Sequence, residues 1–296
     1  MGRMNLLCVC TLSLTACKGT ENIAPVSGGG GPVPLLGHVV VVVEENADYS
    51  SVIGSSAMPY LNGLAQRYAL ATKYYAVTHP SIGNYFMMTV GEIITNDDSY
   101  SGIVSDDNIV RRLVAAGKTW KDYAEDLPSV GYTGGSVGNY ARKHNVIALL
   151  SDVVNDSAQR RNLVPFTQFA SDLQANRLPA YSFVAPNLCN DAHDCSLTTA
   201  DHWLQTNIDP LVQSATFQAD GLLVIVFDEA SGSDNTDGGG HVACVIVSPK
   251  AKRGYQSQGV YTHASLLRLT AEALGVTPPN AAATAPDMGE FFASTP

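Results

Sequence analysis

The chain has 296 residues, 45% of them hydrophobic and only 15% charged, with 17 basic against 27 acidic residues and a formal net charge of −10. That composition excludes a disordered chain, a coiled coil and a protein that binds polyanions by bulk charge, so no nucleic-acid partner is expected. A domain of this length buries roughly three quarters of the surface its unfolded chain exposes, and no apolar run reaches the ~18 residues of a membrane-spanning helix.

Met1 to Ala16 carries Arg3 and then an apolar stretch from Leu6 to Leu14, which reads as a short secretory signal peptide. Leu14-Thr15-Ala16-Cys17 is similar to a bacterial lipobox. That reading makes Cys17 a lipidation site and places an exported protein on the bacterial cell envelope, periplasmic or outer surface, held to the membrane by its lipid anchor alone. Residues 17–36, with Gly28 to Gly31, Pro25, Pro32 and Pro34, read as a flexible tether, leaving 37–296 as the folded domain.

The β-branched run His38 to Val43 predicts a strand covered on both faces. Met58 to Leu70 has helical spacing, Ala71 to Val77 suits a strand, and Pro80 to Val90 a helix with Pro80 near its first turn. Tyr181 to Val184 reads as a short strand. Leu197 to Phe217 is helical with an interruption at Pro210. Gly221 to Phe227 and Val242 to Val247 are buried strands, and Ala264 to Leu274 is an amphipathic helix ending at Gly275. This alternation predicts an α/β fold with a mostly parallel sheet sandwiched by helices.

Cys189 and Cys195 are separated by five residues. In an exported protein a disulfide is the natural reading, with a metal-binding pair as the alternative. Cys244 lies in an apolar run and reads as a buried strand residue.

In parallel α/β sheets, ligands sit beyond the carboxyl ends of the strands. There the first strand delivers Glu44-Glu45-Asn46, the strand at Gly221 delivers Asp228-Glu229, and the segment after Tyr74 delivers Thr78-His79-Pro80-Ser81. Two carboxylates ~4 Å apart at an effective dielectric of ~20 repel by about 4 kcal/mol. Glu45, Asp228 and Glu229 together therefore call for protons or a hard divalent cation, with Asn46 and Ser81 as further oxygen donors. Ser81, activated at a helix start, then becomes a nucleophile suited to phosphorus. The plain alternatives are a solvated strand end for Asp228-Glu229 and a turn with a helix cap for Glu45-Asn46.

Six ordered motifs carry a resemblance: His38–Asn46 (HVVVVVEEN), Tyr74–Tyr85 (YYAVTHPSIGNY), Pro186–Ser196 (PNLCNDAHDCS), Val224–Glu229 (VIVFDE), Gly238–Pro249 (GGGHVACVIVSP) and Tyr261–Arg268 (YTHASLLR). From His38 to about Gly275 the chain resembles the phosphoesterase family of bacterial and fungal acid phosphatases and phospholipase C-type enzymes, within the alkaline phosphatase superfamily. The resemblance implies a metal-dependent phosphoric ester hydrolase, an acid phosphatase-type phosphomonoesterase acting on a small phosphorylated substrate through a phosphoseryl intermediate. A phospholipase C-type phosphodiesterase is the alternative. Carried over by motif, Glu45, Asn46, Ser81, Asp228 and Glu229 hold a divalent ion (Ca2+, Mg2+, Mn2+ or Zn2+), and Ser81 is the nucleophile. His193 is a phosphate ligand or leaving-group acid, with Asp201-His202 near it, and His79, Asn84 and His241 bind phosphate. His263 falls in a motif without an assigned role. The chain departs from the family at Gly83, where Pro is usual, and at Ala47-Asp48-Tyr49.

Several features have other readings. His38, His144 and His202 read as surface or satisfied core residues. Ser231 to Gly240 reads as a mobile loop, since it lacks the Gly-Lys-Ser/Thr ending of a phosphate cradle. Gly134-Gly135-Ser136-Val137-Gly138 matches the nucleophile elbow of carboxylesterases but lacks a strong preceding strand and a following helix. A non-catalytic, metal- or ligand-binding lipoprotein on this scaffold is a further alternative.

Overall fold

The computed structural model describes residues 1–2 and 31–293. The signal-peptide and Cys17 readings fall on residues 3–30, outside the described residues, as does most of the tether.

Eight strands form one sheet: β1 (His38–Glu44), β2 (Ala69–Tyr75), β3 (Trp120–Ala124), β4 (Leu163–Pro165), β5 (Tyr181–Ala185), β6 (Gly221–Phe227), β7 (Cys244–Val247) and β8 (Tyr255–Thr262). Their order is β4-β3-β5-β1-β6-β7-β2-β8. All pairings are parallel except those of β7, which runs antiparallel to β6 and β2. Every residue of β5 and β6, and all of β1 after His38, is buried. A strand with both faces buried must be covered on both sides by helices, so the α/β sandwich read from the sequence holds. The Ser81–Thr89 helix packs with the His263–Ala273 helix, and the Pro59–Arg67 helix with the Leu197–Asn207 helix.

Some boundaries differ from the sequence reading. The stretch from Leu197 breaks into Leu197–Asn207, Asp209–Gln213 and Ala215–Asp220. Pro210 forces the first break, and the Ser214 hydroxyl caps a new helix by accepting from Phe217 N. The strand β2 starts at Ala69, and β7 starts at Cys244. The strands β3, β4 and β8 escaped the sequence reading. β3 carries Lys121 and Asp122 in five residues, β4 is three residues long, and β8 is a half-exposed edge.

Candidate active site

Strands β1 and β6 are neighbours in register, with Glu44 opposite Phe227. Asp228 N donates to Glu44 O at 2.9 Å, so Glu45 and Asp228-Glu229 leave the sheet side by side. Asn46 turns the chain there with a left-handed backbone (φ 54°), a conformation Asn tolerates better than most residues. Its N–H donates to Asp228 Oδ1 at 3.3 Å.

Ser81 is the first residue of its helix, after Pro80. The loop before it is pinned by Asn84, whose Oδ1 accepts from Val77 N (3.0 Å) and whose Nδ2 donates to Thr78 O (2.8 Å). Gly83 belongs to the same close fit, because a Cβ there would collide with the Thr78 and Asn96 side chains.

These elements bring Glu45, Asp228 and Glu229 together, each offering an oxygen within 4.8 Å of the others. Glu45, Asp228 and Ser81 are fully buried and Glu229 nearly so. Ser81 Oγ lies 3.1 Å from Glu45 Oε2 and 3.1 Å from Glu229 Oε1. One hydroxyl has a single proton, so it serves only one of the two carboxylates at a time. Tyr85 Oη donates to Glu45 Oε1 at 2.8 Å, and Asp228 Oδ2 has no partner among the described residues. His79 joins the group from the side, with Nδ1 2.5 Å from Glu229 Oε2 and Nε2 2.9 Å from the Asp234 carbonyl.

Burial, reinforced by Asp228 and Asp191, pushes the Glu45 carboxyl well above its ordinary range. Burial and Glu229 do the same to Asp228. Buried acids this close hold protons unless a cation replaces them. The orphaned Asp228 oxygen and the all-oxygen donor set fit a hard divalent ion. Asn46 Nδ2 donates to Glu45 Oε2 at 3.3 Å, so in this arrangement its amide nitrogen, not its oxygen, faces that carboxylate.

A second group lies beside the first and went unread in the sequence. His144 is buried, stacked on Tyr85 (centroids 5.1 Å apart, planes 6° apart) and tilted against His193 at 5.7 Å. Its Nε2 is 3.1 Å from Glu45 Oε1 and its Nδ1 3.2 Å from Asp191 Oδ2, though neither contact is aligned as a hydrogen bond. Burial holds this imidazole well below its ordinary pKa, with Lys143 and His193 adding to the effect. The reading of His144 as a bland residue is thus corrected: it is buried, and it is buried against the acidic cluster. Nothing in its neighbourhood signals this, because it sits in a short 3-10 turn (Arg142–His144) far from any strand end. Lys143 was missed for the same reason, whereas Asp191 lies in the Pro186–Ser196 motif just after β5 and was given no role there.

Cys189 and Cys195 form a disulfide, with Cα atoms 4.6 Å apart. The loop they close docks on the site: Glu45 N donates to Asp191 O at 2.8 Å and His193 N to Asp191 Oδ1 at 2.8 Å. His193 Nδ1 meets Asp194 Oδ1 at 2.7 Å, and its Nε2 accepts from Lys143 Nζ at 3.2 Å. Glu45, His144 and His193 also bring ligand atoms within 4.8 Å of one another.

All three residues expected to bind phosphate are engaged elsewhere here, His79 by Glu229 and the Asp234 carbonyl. Both ends of the Asn84 amide brace the Val77–Thr78 backbone. His241 stacks on Tyr49 at 4.2 Å, its Nε2 meets the Thr72 carbonyl at 3.0 Å, and it lines a hollow of about 140 Å³ with Asp48, Tyr49 and Asp234. It is outside the acidic cluster, because the start of β7 carries it to the β2 side of the sheet edge. His263 supports the cluster from below. Its Nε2 is 2.6 Å from the Asp228 carbonyl, and burial lowers its pKa to about 4 against the pull of that carbonyl. His38 bonds the Pro179 carbonyl and His202 is exposed. Asp201 caps the Pro59–Arg67 helix through Tyr60 N and Leu61 N, both at 2.9 Å. Ser136 is exposed, in a segment with no strand leading into it, and accepts from Arg142 N.

A profile of the phosphoesterase family matches residues 54–277. That span holds Ser81, His193, Asp228 and Glu229, while Glu45 and Asn46 precede it. The chain is 31% identical over 262 residues to a phosphatidylinositol-3-phosphatase of Mycobacterium tuberculosis, covering 88% of this chain and 84% of that protein. It is 32% identical over 232 residues to an acid phosphatase of Aspergillus fumigatus, covering 75% of this chain and 51% of the relative. The chain thus spans about half the length of that fungal relative. The fold is similar to that of a Vibrio parahaemolyticus protein in the alkaline phosphatase superfamily (TM-score 0.56, 12% identity, 83% of this chain and 71% of the other).

Proposed function

The chain belongs to the phosphoesterase family, and from that premise we propose that it is an acid phosphatase-type phosphomonoesterase with Ser81 as nucleophile. The observation that carries this reading is the Ser81 hydroxyl, buried at a helix start and 3.1 Å from a carboxylate oxygen on each side. Glu45 or Glu229 takes the hydroxyl proton as Oγ attacks phosphorus. The P–O bond to the alcohol breaks, and a phosphoseryl enzyme forms. His193 stands at the edge of the cluster with Asp194 on its Nδ1 and the Lys143 ammonium donating to its Nε2, where the proton shared by that lysine–histidine pair is available to the leaving alcohol. Water then attacks the phosphoseryl group and restores the hydroxyl. Glu45, Asp228, Glu229 and Ser81 would hold the divalent ion, which when bound supplies positive charge for the phosphoryl oxygens and lowers the pKa of the serine hydroxyl.

The relatives' names agree on phosphatase activity, and the substrate proposed here is a small phosphorylated molecule. On the sequence evidence of its first 17 residues, we place the enzyme on the bacterial envelope through a lipid on Cys17. The test is hydrolysis of p-nitrophenyl phosphate against the bis-ester, with and without chelator. Monoester turnover that chelation abolishes and divalent ions restore is the expected result. Preferred cleavage of the bis-ester would assign the site to a phosphodiesterase, and turnover indifferent to chelation would remove the metal.

A further inference from the structure

The surroundings of Ser81 are strongly acidic. Glu45, Asp228 and Glu229 cluster on it, Asp191 approaches through His144, and Asp98 and Asp194 flank Lys143 and His193. A phosphomonoester brings a charge of about −1.5 to −2 at neutral pH. One divalent ion set against three carboxylates leaves such a site with no surplus positive charge, and each unit of like charge ~4 Å away at an effective dielectric of ~20 costs about 4 kcal/mol. Binding a dianion here therefore needs a second cation.

Lys143 is in the right place. Its ammonium lies 3.2 Å from His193 Nε2 and 3.0 Å from Asp98 Oδ2. Burial works against its charge, but Asp98, Glu45 and Asp228 outweigh burial and hold the ammonium above its ordinary pKa. The neighbouring basic residue is committed elsewhere: Arg142 donates to the Ser99 and Tyr100 carbonyls. A lysine ammonium has three donors, and Asp98 and His193 take two. Asp98 also accepts from Ile82 N at 3.3 Å, so one carboxylate ties Lys143 to the first turn of the helix that carries Ser81. The lysine is thereby held in a fixed relation to the nucleophile, with one N–H to spare among the described residues.

We propose that Lys143 anchors the second negative charge of a phosphomonoester and so makes the site prefer monoesters to diesters. The proposal rests on the phosphatase reading and names its substrate discrimination. A diester carries a single charge and gives this ammonium less to neutralise. A monoester dianion has two, and a lysine suits the second as a compact point charge.

The test is binding, not turnover. Phenylphosphonate is a non-hydrolysable dianion at about pH 8. In phenyl(methyl)phosphinate a methyl group replaces one charged oxygen and leaves a monoanion. Affinities of the protein as purified, without chelator, are measured for both by calorimetry. The wild type is expected to favour the phosphonate by about 10-fold or more; Lys143→Gln should lose at least ~10-fold for the phosphonate and less than ~3-fold for the phosphinate, and Lys143→Arg should recover most of the loss. Equal affinities in the wild type overturn the proposal even if no variant folds. So does an equal loss for both ligands, or none, in Lys143→Gln. Wild-type hydrolysis of p-nitrophenyl phosphate is assayed separately. Without hydrolysis, a surviving phosphonate preference keeps the anchor and sinks the hydrolase reading; with hydrolysis, an absent preference sinks the anchor alone.

Discussion

Tyr85 Oη donates to Glu45 Oε1 at 2.8 Å, while Ser81, one turn earlier on the same helix, reaches Oε2 of that carboxylate at 3.1 Å. Residues four apart share a helix face, so one helix grips both oxygens of a residue from β1's end. Burial, aided by Glu45, raises the Tyr85 phenol well above its ordinary pKa, so Tyr85 stays a donor. Tyr85→Phe removes that donor from a buried carboxylate, a loss of about 1–3 kcal/mol. Divalent-ion affinity and kcat should both fall, by about 5- to 150-fold. A metal titration that matches wild type would contradict the grip.

The two serines make opposite predictions. Ser81→Ala should lower monoester turnover by at least ~10³-fold, because covalent catalysis stops without its attacking group. Ser136, exposed and, among the described residues, bonded only to Arg142 N, should be silent as Ser136→Ala. The same pair tests the carboxylesterase alternative: esterase activity lost in Ser136→Ala and kept in Ser81→Ala would reverse the assignment.

The disulfide loop carries Asp191 and His193 against Glu45. A bridge over so short a loop contributes about 2 kcal/mol by the chain-entropy model, but a displacement of ~1 Å in a catalytic group can cost ~10²-fold in rate. Replacing Cys189 and Cys195 together by Ser should therefore lower turnover far more than melting temperature. A double variant that keeps full turnover would show that the bridge does not position His193.

What was legible in the sequence follows from where the signal lies. The runs His38 to Val43 and Gly221 to Phe227 announce central strands, and the polar residues just past them announce the carboxylate cluster. Strand β3 hides because Lys121 and Asp122 break its apolar pattern. His144 and Lys143 hide because they reach the site from a 3-10 turn, placed there by tertiary packing that no local periodicity encodes. The motif around His241 fixes proximity in sequence, and only the fold shows that the approach to antiparallel β7 carries its side chain onto Tyr49.

Asp122 gives the last prediction. It sits in β3, fully buried, with no hydrogen-bond partner for either oxygen among the described residues. Burial pushes its carboxyl up to about 8, with Asn145 pulling weakly the other way. Between the unfolded value near 4 and that raised value, the native state holds a proton that the unfolded chain has released. Stability is therefore full below about pH 4 as far as this group is concerned, and falls as pH rises toward 8, by at most about 4 kcal/mol at neutral pH. Asp122→Asn keeps the shape and removes the titration. The tyrosines near it, Tyr140 and Tyr181, stay uncharged, since burial raises both phenols. Glu44, Glu45 and Asp228 carry carboxyls raised in the same direction, but they are common to both proteins and cancel in the difference. Melting temperatures recorded from about pH 5 to 8 should diverge, the wild type falling more steeply and the Asn variant standing above it at the alkaline end. Parallel curves would mean that Asp122 is ionised in the folded protein and has a counter-charge the structure does not show.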